Sequence, residues 1–149
     1  MYYWENMIKT RNIRTIVLID DDIRLAKALE QVLVKSGFIV HAFINGRWAL
    51  EWLAQERAEL VITDIYMEHM DGMEIMGAVK KSYPAVKIIA MSGGSQIVDL
   101  DCLSVAKQLG ADRTLTKPIQ MTALLAAINE LDTEIVADQV RLPGQGWRK

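Results

Sequence analysis

Short apolar runs alternate along this chain with longer segments whose apolar residues recur at helical spacing. Each run has the length of a buried strand, and turn or charged residues bound it. The predicted strands are Thr15–Ile19, Ile39–Phe43, Leu60–Thr63, Val86–Met91 and Thr114–Thr116. Because strands that alternate with helices usually form a parallel sheet covered by helices, the pattern predicts an α/β domain.

The segments between the strands carry the start and stop signals of helices. The predicted helices are Asp22–Lys35, Gly46–Ala54, Met73–Lys80, Leu100–Leu109 and Thr122–Val136. Asn45 and Thr122 are the expected N-caps, and Gly37 and Gly110 are expected to end helices. Pro84 stops the third helix, since the residue before a proline avoids the helical region. The apolar residues expected to pack inward include Ile23, Ala26, Leu29, Val32 and Leu33 in the first helix and Trp48, Leu50, Trp52 and Leu53 in the second.

Composition sets the class of protein. At 149 residues, with 51% hydrophobic and 24% charged residues, the chain is long enough for one well-packed domain. We expect that domain over 15–136, with an N-terminal extension over 1–14 and a C-terminal tail or linker stub over 137–149. A net charge of −2 argues against binding of nucleic acid through bulk charge. No segment has the length and apolarity of a membrane span, so a cytoplasmic protein is expected.

Polar side chains follow four of the predicted strands at the point where each strand ends. Asp20 and Asp21 follow the first strand, Asp64 the third, Ser92 the fourth and Lys117 the fifth. Because the carboxyl ends of parallel strands meet at one edge of a sheet, these side chains should converge there. Aspartates at strand ends also cap helices, but the ordered set favours a functional site.

The expected site suits a metal ion and a phosphoryl group. Facing carboxylates repel one another unless a cation lies between them, and hard oxygen ligands suit Mg²⁺. Asp64 stands alone at its strand end and is the natural phosphoryl acceptor, whereas Asp20 and Asp21 are placed to hold the metal. Lys117 can pair with a carboxylate at rest and with a phosphoryl oxygen afterwards, and the Ser92 hydroxyl can follow that oxygen.

These motifs resemble the receiver domain of two-component response regulators. The resemblance spans about residues 14 to 136 and rests on IVLIDDD, VITDIYM with the following MDGMEIM, IIAMSGG and GADRTLTKPI. It implies a doubly wound, five-stranded parallel sheet of the flavodoxin-like type with five helices. It also implies transfer of a phosphoryl group from a histidine kinase to Asp64. Mg²⁺ would be held directly by Asp21, Asp64 and the backbone carbonyl of Tyr66, and by Asp20 through water. Lys117 matches the family's lysine, with a cis bond expected before Pro118, and Ser92 matches its switch hydroxyl.

Two positions depart from the family pattern. Glu68 stands where a proline is frequent, and Thr114 stands where the family often has an aromatic switch residue. Without a large ring at 114, output is expected to depend on the loop after Ser92, which Gly93–Gly94 makes more pliable, and on the fourth helix. The alternative is that the two glycines serve only to admit a phosphate closely.

The leading functional hypothesis is a phospho-accepting signalling switch that is not an enzyme beyond its own phosphorylation and dephosphorylation. Its expected partners are a sensor histidine kinase or phosphotransfer protein and a downstream effector protein or domain, with a homodimer possible and no nucleic acid or membrane. Whether the chain acts alone or belongs to a longer regulator stays open. The alternative is a receiver-like docking module that is not phosphorylated. A phosphatase is disfavoured because Tyr66 replaces the needed acid, and a flavin protein because the first loop is acidic.

Overall fold

The structure, a computed structural model, describes residues 11–67, 72–93 and 104–139. Its centre is a five-stranded parallel sheet in the order β2-β1-β3-β4-β5. The strands are β1 (Thr15–Ile19), β2 (Ile39–Phe43), β3 (Leu60–Asp64), β4 (Lys87–Ser92) and β5 (Arg113–Thr116). The helices are α1 (Ile23–Lys35), α2 (Gly46–Leu53), α3 (Gly72–Ser82), α4 (104–108 within the described residues) and α5 (Met121–Gln139). The predicted fold class is confirmed, and every strand lies within one residue of its predicted bounds.

The three central strands are buried on both faces, which explains why they are continuous apolar runs. Alternate residues of these strands serve two separate cores. Leu18 and Ile62 pack with α1 and α5 on one face of the sheet. Val17 and Val61 pack with α2, α3 and α4 on the other face. Both faces are therefore covered, as a doubly wound sheet requires.

Local signals set most of the helix ends. The Asp22 side chain accepts hydrogen bonds from the backbone N–H groups of Arg24 and Leu25 and caps α1. Asn45 caps α2 in the same way. Gly37 and Gly110 have φ angles of 96° and 110°, a region that favours glycine, and they follow α1 and α4 as predicted.

Thr122 is not the cap of α5, so that prediction was wrong. The helix begins at Met121, and the Leu124 N–H already donates to the Gln120 carbonyl. Thr122 therefore lies inside the first turn. A threonine can cap a helix only where its own backbone is still outside the helix. Here the first helical hydrogen bond is already accepted by Gln120, two residues before Thr122.

Two large apolar side chains are exposed although the helical pattern predicted that they pack inward. Ile23 is 52% exposed and Trp48 is 54% exposed. Both lie in the first turn of their helices, at the carboxyl edge of the sheet, where the strands beneath them have ended. Val32 is half-buried and belongs to neither core. The rest of each pattern packs as expected, with Leu29 and Leu53 buried in the two cores. In the described ranges no helix is long and apolar enough to cross a membrane.

Two carboxylates fasten the chain where it enters β1. One oxygen of Glu59 accepts the backbone N–H groups of Arg14 and Thr15, at 2.8 and 3.0 Å. One oxygen of Asp132 on α5 accepts those of Asn12 and Ile13, at 2.8 and 2.7 Å. Ile13 is fully buried, so the core begins two residues before β1. The boundary of the N-terminal extension at residue 14 stays a prediction.

We expect Asp132→Ala to lower the free energy of unfolding by about 1 to 3 kcal/mol, since it leaves two partly buried N–H groups without their acceptor. Urea unfolding followed by circular dichroism measures the change. Asn129→Ala, at an exposed position one turn earlier on α5, is the matched control and should change stability by less than about 0.5 kcal/mol. Equal effects of the two variants would show that Asp132 does not fasten this segment.

Candidate functional site

Three aspartates converge at the carboxyl edge of the sheet. Asp20 and Asp21 follow β1, and Asp64 is the last residue of β3, which pairs directly with β1. One oxygen from each of the three carboxylates lies within 4.8 Å of the others. Asp20 is fully buried and Asp64 is 6% exposed, whereas Asp21 is exposed. The structure thus brings together the three aspartates that the sequence singled out.

Lys117 supplies the positive charge that faces this cluster. Its Nζ lies 3.2 Å from an oxygen of Asp20 and 3.0 Å from an oxygen of Asp64. The ammonium therefore bridges the two buried carboxylates and leaves the third one to solvent. Three carboxylates against one ammonium leave an excess of negative charge, which suits a hard divalent cation coordinated by oxygen.

Burial and neighbouring charges both act on the pKa values of the buried Asp20 and the half-buried Lys117. Desolvation, the largest effect, raises the pKa of Asp20, and so does the Asp64 carboxylate, whereas the hydrogen bond from the Asp22 N–H and the nearby Lys117 ammonium lower it in part. For Lys117, desolvation lowers the pKa, but hydrogen bonds and Coulomb attraction to Asp64 and Asp20 outweigh it, so the pKa is raised. Lys117 accordingly stays a cation, as its pairing with both aspartates requires.

Backbone donors orient the two buried carboxylates. The second oxygen of Asp20 accepts the Asp22 N–H at 2.9 Å, and that of Asp64 accepts the Tyr66 N–H at 3.3 Å. Each carboxylate thus has one oxygen on the backbone and the other on Lys117. The backbone carbonyl of Tyr66 as a metal ligand stays a prediction.

The Ser92 hydroxyl is buried at the end of β4 and has no hydrogen-bond partner among the described residues. Among the residues the structure describes, its Oγ is the one buried side-chain oxygen or nitrogen without a hydrogen bond. A buried hydroxyl normally finds a partner, because leaving it without one costs free energy. Since β4 pairs with β3 at Asp64, this hydroxyl lies on the strand next to the acceptor candidate.

The departures from the family pattern are only partly visible. Thr114 pairs in register with Ala90 on β4 and is partly buried, and no large ring occupies this position. The expected cis bond between Lys117 and Pro118 is present. Glu68 and Gly94 lie outside the described residues.

Two glycines make close approaches to site residues that the sequence patterns did not predict. A Cβ on Gly72 would lie 2.0 Å from the backbone oxygen of Asp64 and 2.7 Å from Cα of Ile65. The Gly72 N–H donates to the Ile65 carbonyl at 2.8 Å, which closes the chain after β3 on itself. A Cβ on Gly93 would lie 2.9 Å from Cδ of Lys117. The only sequence signal was a glycine beside each motif, which does not distinguish close approach from flexibility.

Comparison with known proteins decides the family to which this chain belongs. The sequence profile of the response regulator receiver domain matches residues 16–129. The chain belongs to this family. This agrees with the resemblance found in the motifs and with the sheet order.

Curated relatives of this receiver domain are transcriptional regulators. The chain is 34% identical over 115 residues to "Transcriptional regulatory protein GlrR" of Escherichia coli (strain K12), covering 77% of this chain and 25% of the relative. It is 32% identical over 111 residues to "DNA-binding transcriptional regulator NtrC" of the same organism, covering 74% and 23%. The chain therefore spans about a quarter of the length of these relatives.

Solved receiver domains have the same fold over nearly their whole length. A CheY-like response regulator receiver domain protein from Methanospirillum hungatei JF-1 aligns with a TM-score of 0.77 at 26% identity, covering 85% of this chain and 99% of that one. A response regulator receiver domain protein from Clostridium thermocellum aligns with a TM-score of 0.76 at 27% identity, covering 84% and 98%.

We expect Gly72→Ala to destabilise the receiver domain by at least about 3 kcal/mol, because the new Cβ would clash with backbone atoms that cannot rotate away. Gly77→Ala lies on the same helix with no atom within 4 Å of the new Cβ. It should stabilise the domain by about 0.5 to 1 kcal/mol, because alanine is the better helix former. Urea unfolding of both variants measures the difference. Similar stabilities would contradict the close approach at Gly72.

Proposed function

We propose that this receiver domain accepts a phosphoryl group on the Asp64 carboxylate and thereby switches its protein contacts. The observation that carries the proposal is the bridge from Lys117 to Asp20 and Asp64 beside a third carboxylate within 4.8 Å. A structural role alone does not explain three carboxylates held so close, since each added negative charge raises the free energy of the folded state.

Mg²⁺ is the proposed cofactor. The ligands would be the carboxylates of Asp21 and Asp64 and the Tyr66 backbone carbonyl, with Asp20 acting through water. The oxygen-only donor set of the aspartate cluster fits a hard divalent cation that retains several waters. When bound, the metal supplies positive charge that offsets the charge of the incoming phosphoryl oxygens.

The residues of the chain account for the transfer. A carboxylate oxygen of Asp64 attacks phosphorus and forms a new P–O bond, while the bond from phosphorus to the donor breaks and its electron pair leaves with the donor. Lys117 moves from its pairing with Asp64 to a phosphoryl oxygen. The Ser92 hydroxyl, which has no hydrogen-bond partner among the described residues, gains an acceptor in another phosphoryl oxygen. Hydrolysis of the acyl phosphate resets the switch, and the proposed chemistry of the chain is limited to its own phosphorylation and dephosphorylation.

The proposed donor is a sensor histidine kinase or a phosphotransfer protein, and a small phosphodonor can take its place. The proposed recipient of the signal is an effector protein or a further domain. The relatives are about four times longer than the segment that matches them. This supports the proposal that the receiver domain, over 15–136, acts within a larger regulator or upon one. The chain carries a net charge of −2, so we assign nucleic-acid contact to that partner and not to this chain. A cytoplasmic location and a homodimer of receivers are part of the same proposal.

Incubation with acetyl phosphate and Mg²⁺ should add one phosphoryl mass to the wild-type chain, read by intact-mass spectrometry. Asp64→Asn should gain none, because an amide is a poor nucleophile and forms no acyl phosphate. Asp22→Asn is the matched control and should be modified like the wild type, since Asn caps a helix as well as Asp does. If the chain binds Mg²⁺ but neither acetyl phosphate nor a histidine kinase phosphorylates it, the result would favour the alternative that Thr114 suggests, a docking module that is not phosphorylated.

Asp21→Asn should weaken Mg²⁺ binding at least tenfold, since it removes one of two direct carboxylate ligands, an interaction worth more than about 1.4 kcal/mol. Asp21 is exposed and makes no ion pair among the described residues, so the Lys117 bridge stays intact. Titration followed by amide chemical shifts measures the affinity, and Asp22→Asn is again the control. Equal affinity in the two variants would place the metal elsewhere.

A further inference from the structure

The methylene chain of Lys117 lies directly on the backbone of Gly93. A Cβ built on Gly93 would lie 2.9 Å from Cδ of Lys117, 3.3 Å from its Cβ and 3.5 Å from its Cγ. The backbone brings the two residues this close, because the Lys117 N–H donates to the Ser92 carbonyl at 2.6 Å. The backbone of Lys117 therefore cannot move away from position 93 without breaking this hydrogen bond, which extends the pairing of β4 with β5 by one residue.

A positive φ angle does not explain the glycine at position 93. Within the described residues, the glycines with positive φ are Gly37 and Gly110, so Gly93 has a backbone conformation open to other residues. What a side chain at 93 would disturb is the path of Lys117 from β5 to the aspartates. The methylene groups of Lys117 contact Gly93, and the ammonium at the end of the same side chain pairs with Asp20 and Asp64.

We propose that Gly93 is a positioning residue that seats the Lys117 ammonium between Asp20 and Asp64. The expected effect of Gly93 on phosphoryl transfer rests on the proposed function. Its expected effects on the position of the Lys117 ammonium and on Mg²⁺ affinity do not. A side chain at 93 would push the methylene chain aside and move the ammonium off one or both carboxylates.

Displacement of the ammonium has two consequences of opposite sign. Lys117 pairs with two of the oxygen-bearing groups that a divalent cation would use, so it competes with that cation for their charge. Moving it away should strengthen Mg²⁺ binding. The same ammonium is needed to neutralise the phosphoryl oxygens, so moving it away should slow phosphorylation. General damage to the site would weaken both.

The test compares Gly93→Ala, Lys117→Ala and the double variant in the full chain, with Gly77→Ala as a matched glycine replacement in open space. Gly93→Ala should bind Mg²⁺ several-fold more tightly. It should react with acetyl phosphate about tenfold more slowly, the factor that corresponds to one hydrogen bond to a charged group. Gly77→Ala should change neither. Urea unfolding establishes that each variant is folded.

The double variant separates positioning from other effects of an added methyl group. If Gly93 acts through Lys117, Gly93→Ala should change neither Mg²⁺ affinity nor rate once Lys117 is alanine. Additive effects, or weaker Mg²⁺ binding in Gly93→Ala, would overturn the proposal. Mg²⁺ affinity is measured without any phosphodonor, so the double-mutant cycle on Mg²⁺ affinity decides the role of Gly93 by itself. A chain that is never phosphorylated would refute the proposed function and leave that decision unaffected.

Discussion

Electrostatic repulsion among three aspartates at the carboxyl edge of the sheet is the constraint on which the site depends. With an effective dielectric constant near 20, two carboxylates about 4 to 5 Å apart repel each other by roughly 3 to 4 kcal/mol. The fold tolerates this because Lys117 lies against the two buried members and backbone N–H groups hold their other oxygens. The arrangement still leaves negative charge in excess, and a divalent cation is what would balance it.

The two edges of the sheet use carboxylates in contrasting ways. At the amino edge, Glu59 and Asp132 each accept two neighbouring backbone N–H groups, and Asp112 accepts the Ile88 N–H and pairs with Lys80. These carboxylates have local partners and fasten the strands. At the carboxyl edge Asp20 and Asp64 also have such partners, but their carboxylates lie close to each other and to that of Asp21. The difference separates acidic residues that fasten strands from those that form the candidate site.

Sequence patterns predicted the sheet because its central strands are buried on both faces and so appear as apolar runs. They also predicted that Asp20, Asp21, Asp64 and Lys117 lie together, because parallel strands bring their carboxyl ends to one edge. They did not predict that Ile23 and Trp48 are exposed, since helical spacing does not reveal where the strands beneath a helix end. Nor did they predict the close approach of Lys117 to Gly93, a tertiary contact between residues far apart in sequence.

Borohydride trapping of the unmutated protein shows whether Asp64 is the phosphoryl acceptor. Borohydride reduces an acyl phosphate to an alcohol, so the chain would be treated with Mg²⁺ and acetyl phosphate, reduced, digested and sequenced by mass spectrometry. We expect homoserine at position 64 and aspartate at positions 20 and 21. Homoserine at another aspartate, or none in a chain that binds Mg²⁺, would contradict phosphorylation at Asp64.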